Sequence, residues 1–301
     1  MQTVPLPQLH VFLAVARNRS FSGAARELGV STSAVSQSVK QLEDQLRVVL
    51  LTRTTRSVLP TEAGRRLVEN AGPAMKQTIA ALAEASAQPG EVVGGVKLSV
   101  SRMSVPFVSP VLPVFRERHP RIELEIDVQE RLVDIVAEGY DGAIRLSEAV
   151  ERDMVQLRLT DAFRFVVVGT PAYLARAGTP RKPEDLLKHE CITFRSQTNA
   201  ALYAWEFERG KRTWRVPVRG GIVANEPQLC VTLAEQGLGL AYTFEPSVAA
   251  QLRAGELETV LAPYAPEVPG FFLCYPSAAQ SSPAFRLFLG VVREVLGRRG
   301  K

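Results

Sequence analysis

Cysteine is scarce in this chain, and so are the other residues on which single-site chemistry depends. The 301 residues include three cysteines, three histidines, four methionines and two tryptophans. Cys191, Cys230 and Cys274 are odd in number and far apart, which argues against a disulfide framework and for core thiols in a reducing compartment. His10, His119 and His189 form no cluster, and the lone step His189-Glu190-Cys191 lacks the four donors of a zinc site. A cysteine hydrolase built on that step would also need a positioned base and oxyanion donors, and neither is identifiable. Gly237-Leu238-Gly239 has no third glycine at the dinucleotide offset and leads into a strand, so it reads as a tight turn. There is no phosphate-binding loop, no Gly-X-Ser-X-Gly elbow and no His-Glu-X-X-His pair. No enzyme activity, cofactor or metal is expected. No run approaches the roughly 18 apolar residues of a membrane span. Met1-Gln2-Thr3-Val4-Pro5 lacks the basic and apolar segments of an export signal. The expectation is a cytoplasmic protein with no membrane partner.

What is present is ordinary globular composition, 46% apolar and 22% charged, in a chain long enough for two packing units and a small third. The charge is unevenly placed. Residues 1–60 carry Arg17, Arg19, Arg26, Lys40, Arg47, Arg53 and Arg56 against Glu27, Glu43 and Asp44. Residues 61–90 balance, so nearly all of the net charge of +5 sits at the amino end. A basic head on a neutral body fits a molecule in which only the head meets a polyanion. That distribution disfavours an exported solute receptor, which needs no such head.

Leu9, Phe12, Leu13 and Ala16 recur at helical spacing after Pro7, which suits a first turn. Ser22 is placed to cap a short second helix holding Ala24, Ala25 and Leu28, with Gly29 as its exit. Ser31 or Thr32 then caps a third helix running to about Leu46. Val35, Val39, Leu42 and Leu46 define its packing face, and Ser33, Ser36, Gln37 and Lys40 the opposite, polar one. A turn of a few residues around Gly29 is what a helix-turn-helix requires, and its second helix enters a major groove by its N-terminal half. Arg53-Thr54-Thr55-Arg56 follows where a two-stranded wing would bring cations to phosphates.

Several ordered segments carry a resemblance: Ser20-Phe21-Ser22-Gly23-Ala24-Ala25, Ser31-Thr32-Ser33-Ala34-Val35-Ser36-Gln37, Leu42-Glu43, Leu50-Leu51-Thr52-Arg53-Thr54-Thr55-Arg56 and Pro60-Thr61-Glu62-Ala63-Gly64. Together they closely resemble the N-terminal domain of LysR-type transcriptional regulators. Two positions depart: Arg47 stands where that family commonly has glycine, and Val49 where a basic residue is frequent. The resemblance implies a winged helix-turn-helix over 1–60, in which Thr32 begins the recognition helix and Ser33, Ser36 and Gln37 approach base edges. Lys40 would meet phosphate, and Arg53 and Arg56 the backbone or adjacent minor groove. It further implies RNA polymerase as a partner.

Thr61 is a suitable N-cap for a segment with Val68, Ala71, Met75, Ile79 and Leu82 at helical intervals, bent at Pro73 and ending at Gln88-Pro89-Gly90. This 61–90 stretch either lies on its own domain or, as the resemblance implies, pairs with a second subunit. A homodimer or homotetramer would suit a two-fold operator in double-stranded DNA.

From Val96 short apolar strands alternate with helices. The expected order is Val96–Val100, a helix near 106–119, Ile122–Val128, a helix near 132–138 and Ala143–Leu146. That alternation favours an α/β fold with a mainly parallel sheet. A second set of strands lies between Arg164 and Tyr242, and Phe271–Tyr275 with a helix over 283–296 returns to the first sheet. The resemblance extends here. It implies a periplasmic-binding-protein-like effector domain over 91–301, with subdomain I at about 91–164 and 268–301 and subdomain II at about 165–267. Ligands of such sheets bind beyond the carboxyl ends of strands. Ser101, Arg102, Met103 and Ser104 follow the first strand, Gln129 and Glu130 the second, and Asn225 and Glu226 precede Pro227. Arg145, Phe194 and Arg195 fall at strand ends expected to face the same cleft. The arginines favour a small-molecule anion such as a carboxylate, with Phe194 and Met103 as apolar walls. Each arginine is equally suited to bracing one element against another.

Overall fold

The computed structural model describes residues 5–53, 58–85, 92–131, 133–146, 154–196 and 200–297. Helices α1 (Leu6–Asn18), α2 (Phe21–Leu28) and α3 (Thr32–Leu46) form the head, followed by strands β1 (Leu51–Arg53) and β2 (Val58–Pro60). Phe12, Val15, Ala24, Val35, Val39 and Leu42 close one core between the helices. Two expectations change in detail. Ser20, in extended backbone, caps α2 by accepting from Gly23 N at 3.1 Å, because Ser22 already lies inside the helix. Ser31 caps α3 through Ala34 N at 3.2 Å. Leu46 is 46% exposed rather than packed. Arg47, at φ +54, turns the chain out of α3, and Leu50 and Leu51 take the buried places beyond it.

Helix α4 (Glu62–Ala85) starts with Thr61 Oγ1 accepting from Gly64 N at 3.1 Å. Gly64 is required by a close approach: a Cβ there would stand 2.1 Å from the Leu50 carbonyl oxygen, which accepts from Thr61 N. The apolar stripe of α4 divides. Val68 and Met75 pack on the head core, whereas Ile79 and Leu82 are exposed. The proposed helix end at Gln88-Pro89-Gly90 lies outside the described residues.

The first sheet runs β4-β3-β5-β15-β6. Its strands are β3 (Gly94–Val100), β4 (Ile122–Val128), β5 (Gly142–Leu146), β6 (Met154–Arg158) and β15 (Phe271–Pro276). Strands β3, β4 and β5 are parallel, β3 and β4 joined by a helical connection, but β15 runs antiparallel to both β5 and β6. The helix expected near 106–119 is split into α5 (Val105–Val108) and α6 (Val111–Arg118). The segment expected as a helix near 132–138 is a turn from Ile135 to Gly139, closed at Gly139 with φ +74. Phe115 of α6 and Phe285 and Phe288 of α10 (Pro283–Gly297) pack on Leu98, Val100 and Ile144. Burying such a side chain contributes about 1.5–3 kcal/mol.

The second unit centres on β7 (Phe163–Gly169), with α7 (Pro171–Ala177), β8 (Thr193–Phe194), β9 (Trp205–Arg209), β10 (Arg212–Val216), β11 (Val223–Ala224), α8 (Pro227–Glu235), β12 (Ala241–Phe244), α9 (Ala249–Ala254), β13 (Glu258–Val260) and β14 (Glu267–Val268). Its main sheet is antiparallel, β12-β7-β13 with β14 also on β7, so the parallel order of the first set is not repeated here; the short β8/β11 pair and the Cys191–Leu240 bridge are parallel. The chain passes from β6 to β7 and back from β14 to β15, and the two passages are bonded together. Leu159 N donates to Phe271 O at 2.9 Å, and Phe271 N to Thr160 Oγ1 at 2.9 Å. Phe107, Phe163, Phe244 and Phe271 cluster around them, mostly tilted or edge-on, with centroids 5.4–6.5 Å apart.

Candidate nucleic-acid interface and effector cleft

Burial of Val35, Val39 and Leu42 fixes the rotation of α3 and leaves Thr32, Ser33, Gln37 and Lys40 exposed on its other side, with Ser36 half-buried. Ser33 Oγ lies 2.9 Å from the capping Ser31 Oγ. Strands β1 and β2 pair antiparallel as the stem of a wing, with Arg53 opposite Val58 at its end. Arg56 lies outside the described residues. The stem is tied to α3 by Glu43, whose Oε1 accepts from Leu50 N at 2.7 Å and Leu51 N at 3.2 Å. Nothing in the spacing singled Glu43 out for this, beyond an acidic side chain at the end of a helix before a strand.

In the effector region the expected residues separate into three groups. Ser104 is fully buried; its hydroxyl donates to Ser101 O at 2.8 Å, and Ser101 Oγ donates to Ser104 Oγ at 3.0 Å. These serines shape the turn after β3 instead of presenting hydroxyls to a ligand. Arg145, 9% exposed, is also turned inward. It donates to Ser99 Oγ at 2.7 Å, Ile144 O at 2.8 Å, Ser99 O at 3.3 Å and Arg131 O at 3.4 Å, joining the ends of β3 and β5 to the loop after β4. Burial among these neutral acceptors draws its pKa down. Next to it Gln129 Nε2 lies within hydrogen-bond reach of Ser99 Oγ, Asp127 Oδ2 and the Tyr140 hydroxyl.

The third group stays accessible. Arg102, Arg195 and Asn225 are exposed, and Met103 and Phe194 half-buried. Arg102 reaches from the first sheet towards the second, with Nε 4.0 Å from Glu226 Oε1, a half-exposed contact worth under about 1 kcal/mol. Backbone N-H groups at this point are already engaged: Arg102 N donates to Glu130 Oε1 at 2.8 Å, and Leu229 N in the first turn of α8 donates to Glu226 Oε2 at 2.6 Å. A ligand at this point would meet side chains before helix ends.

The cysteines are core groups. Burial pushes the Cys191 thiol up to about 12 and those of Cys230 and Cys274 up to about 11. All three are therefore protonated and enclosed at neutral pH. Iodoacetamide at about pH 8 is expected to label the folded chain negligibly while the denatured chain takes up all three equivalents; rapid labelling of the folded protein would contradict this. Among the described residues no three His, Cys, Asp or Glu side chains gather as a metal site, and no helix is long and apolar enough to cross a membrane.

A helix-turn-helix with a two-stranded stem and an exposed polar recognition face, joined by a long helix to a domain built on two main sheets, is the architecture of a DNA-binding regulator with a second, larger module. Residues 6–65 match the bacterial regulatory helix-turn-helix protein, lysR family, and residues 89–297 match the LysR substrate binding domain, so the chain belongs to the LysR family of transcriptional regulators. It is 36% identical to the uncharacterised HTH-type transcriptional regulator YcaN of Escherichia coli over 94% of this chain and 92% of that one. It is 32% identical to PgrR, an HTH-type transcriptional regulator of the same organism, over 96% and 97%. Among solved structures, CrgA, a LysR-type transcriptional regulator from Neisseria meningitidis, superposes with a TM-score of 0.60 at 29% identity, covering 97% of this chain and 98% of that one. Full-length AphB of Vibrio cholerae shares the fold with a TM-score of 0.63 at 20% identity, over 96% and 98%.

Proposed function

We propose that residues 1–60 read a two-fold operator in double-stranded DNA. Ser33, Ser36 and Gln37 face base edges, Thr32 opens the helix against the backbone, and Lys40, Arg53 and Arg56 meet phosphates. The observation that carries this reading is the exposure of the polar face of α3 while its apolar face is locked into the core. Residues 61–90 join two copies, supported by the exposed Ile79 and Leu82 on the far half of α4. The domain at 91–301 takes a small anionic effector such as a carboxylate between its two subdomains. Arg102 and Arg195 are the cations available to it, Met103 and Phe194 its walls, and Asn225 a polar neighbour. Ser101, Ser104 and Arg145 position the wall without touching the ligand. The protein acts in the cytoplasm, catalyses no reaction, and passes its signal to RNA polymerase.

The test is a titration of the full-length protein on the duplex upstream of its own gene and on a scrambled duplex of the same length. Arg53→Ala is expected to weaken binding to both and to reduce the slope of log affinity against log salt by about one. Gln37→Ala is expected to reduce the preference for the promoter fragment while leaving that slope unchanged. Equal affinity of the unmodified protein for both duplexes would overturn the reading.

A further inference from the structure

We infer that the turn at 133–140 in the effector domain is a docking surface for the head of the same chain, with Glu138 as its anchor. Arg19, the residue that ends α1, reaches across 119 positions of sequence to place its guanidinium 3.3 Å from Glu138 Oε1. That carboxylate is only 9% exposed and is also gripped through both oxygens by Arg131. The contact is more than one ion pair. Ala137 packs against the hydrophobic core of the head, and Arg17 lies over Gly139 so closely that a Cβ there would come within 3.1 Å of Arg17 Cδ. Thr52 and Leu59 from the head and Arg65 and Val68 from α4 line a shared cavity of about 360 Å³ with Asp134, Ala137 and Glu138.

The left-handed backbone of Arg19, φ +50, caps α1 and turns its side chain away from the end of the helix, towards Glu138. Docking leaves the recognition face free, since Ser33, Gln37 and Lys40 stay exposed. The contact therefore sets the direction in which the head points and does not mask it. It also connects to the interior of the effector domain: Arg145 donates to Arg131 O, and the Arg131 side chain holds Glu138. A ligand that disturbs the Ser99, Gln129 and Arg145 cluster thus acts on the support that orients the head.

Hydrogen-deuterium exchange on the full-length protein tests the docking without DNA or effector. Arg19→Gln, a change in the head, is expected to raise exchange of the Glu138, Gly139 and Tyr140 amides threefold or more, although these lie in the other domain. Lys40→Gln, an exposed change elsewhere on the head, is expected to leave them at the unmodified rate. Glu138→Gln, read at the end of α1 around Val15 and Ala16, serves as the reverse arm and remains informative if Arg19→Gln does not fold. Unchanged exchange across the boundary in whichever of these two variants folds would overturn the inference. Loss of operator preference alone would instead bear on the DNA-reading assignment.

Discussion

Gly270→Ala is expected to lower the melting temperature of the effector domain by about 6–12 °C, equivalent to about 3 kcal/mol at some 2–4 °C per kcal/mol for a domain of this size. Gly270 joins β14 to β15 at φ +98, where a side chain is already disfavoured. Its environment makes the substitution worse. A Cβ would stand 2.5 Å from Asp161 O, 2.6 Å from Thr160 Oγ1 and 2.8 Å from Thr160 O. Two of these are backbone atoms of the opposite passage between subdomains, so relief requires the two passages to part. Parting them breaks the bonds from Leu159 N to Phe271 O and from Phe271 N to Thr160 Oγ1, and loosens the Phe163 and Phe271 contact. Differential scanning calorimetry of the full chain measures the effect. A shift below about 2 °C would mean that the passages are not held together as described.

Glu43→Ala is expected to cost about 3 kcal/mol in the head and to reduce affinity for duplex DNA about tenfold. The carboxylate satisfies two backbone N-H groups at the entrance to the wing, and each hydrogen bond to a charged acceptor contributes about 1.5–3 kcal/mol. Leu50 and Leu51, 1% and 4% exposed, carry those N-H groups, so water cannot replace the lost acceptor without opening the core. The wing stem is then no longer registered on α3. Glu43→Gln retains an acceptor oxygen and is expected to restore most of the binding. Chemical denaturation of the head and a salt-matched DNA titration measure the two effects, and equal behaviour of the alanine and glutamine variants would show that acceptance by Glu43 does not matter.

The head was legible because its signals are local. The cap at Ser31, the glycine at 29 and the spacing of Val35, Val39 and Leu42 act within a few residues, although the cap of α2 is Ser20 and not Ser22, and the helical period alone separates Ser33 and Gln37 from the buried face. The effector region was legible as alternating elements but not as a site. Arg145 was placed among ligand-facing residues on its position at a strand end, yet its partners Ser99 and Arg131 come from two other segments, and only their arrival decides that it turns inward. Ser104 is enclosed for a more local reason: its hydroxyl donates to the Ser101 carbonyl within the same turn. The antiparallel return of β15 was likewise invisible, because strand direction follows from how the chain comes back and not from the apolar run itself.

By itself, then, the order of residues determined the helices of the head, the polar face of α3, the excess of positive charge beside it and the existence of a larger α/β body, since these follow from periodicity, capping and composition along one stretch. Tertiary structure alone decided that Glu43 holds the wing, that Gly64 and Gly270 tolerate no side chain, that Arg145 braces β3 against the loop after β4 and that Arg19 meets Glu138. Each of these is a contact between segments that local propensity leaves independent. Their meeting is set by packing and strand order, which bring groups far apart along the chain to within bonding distance.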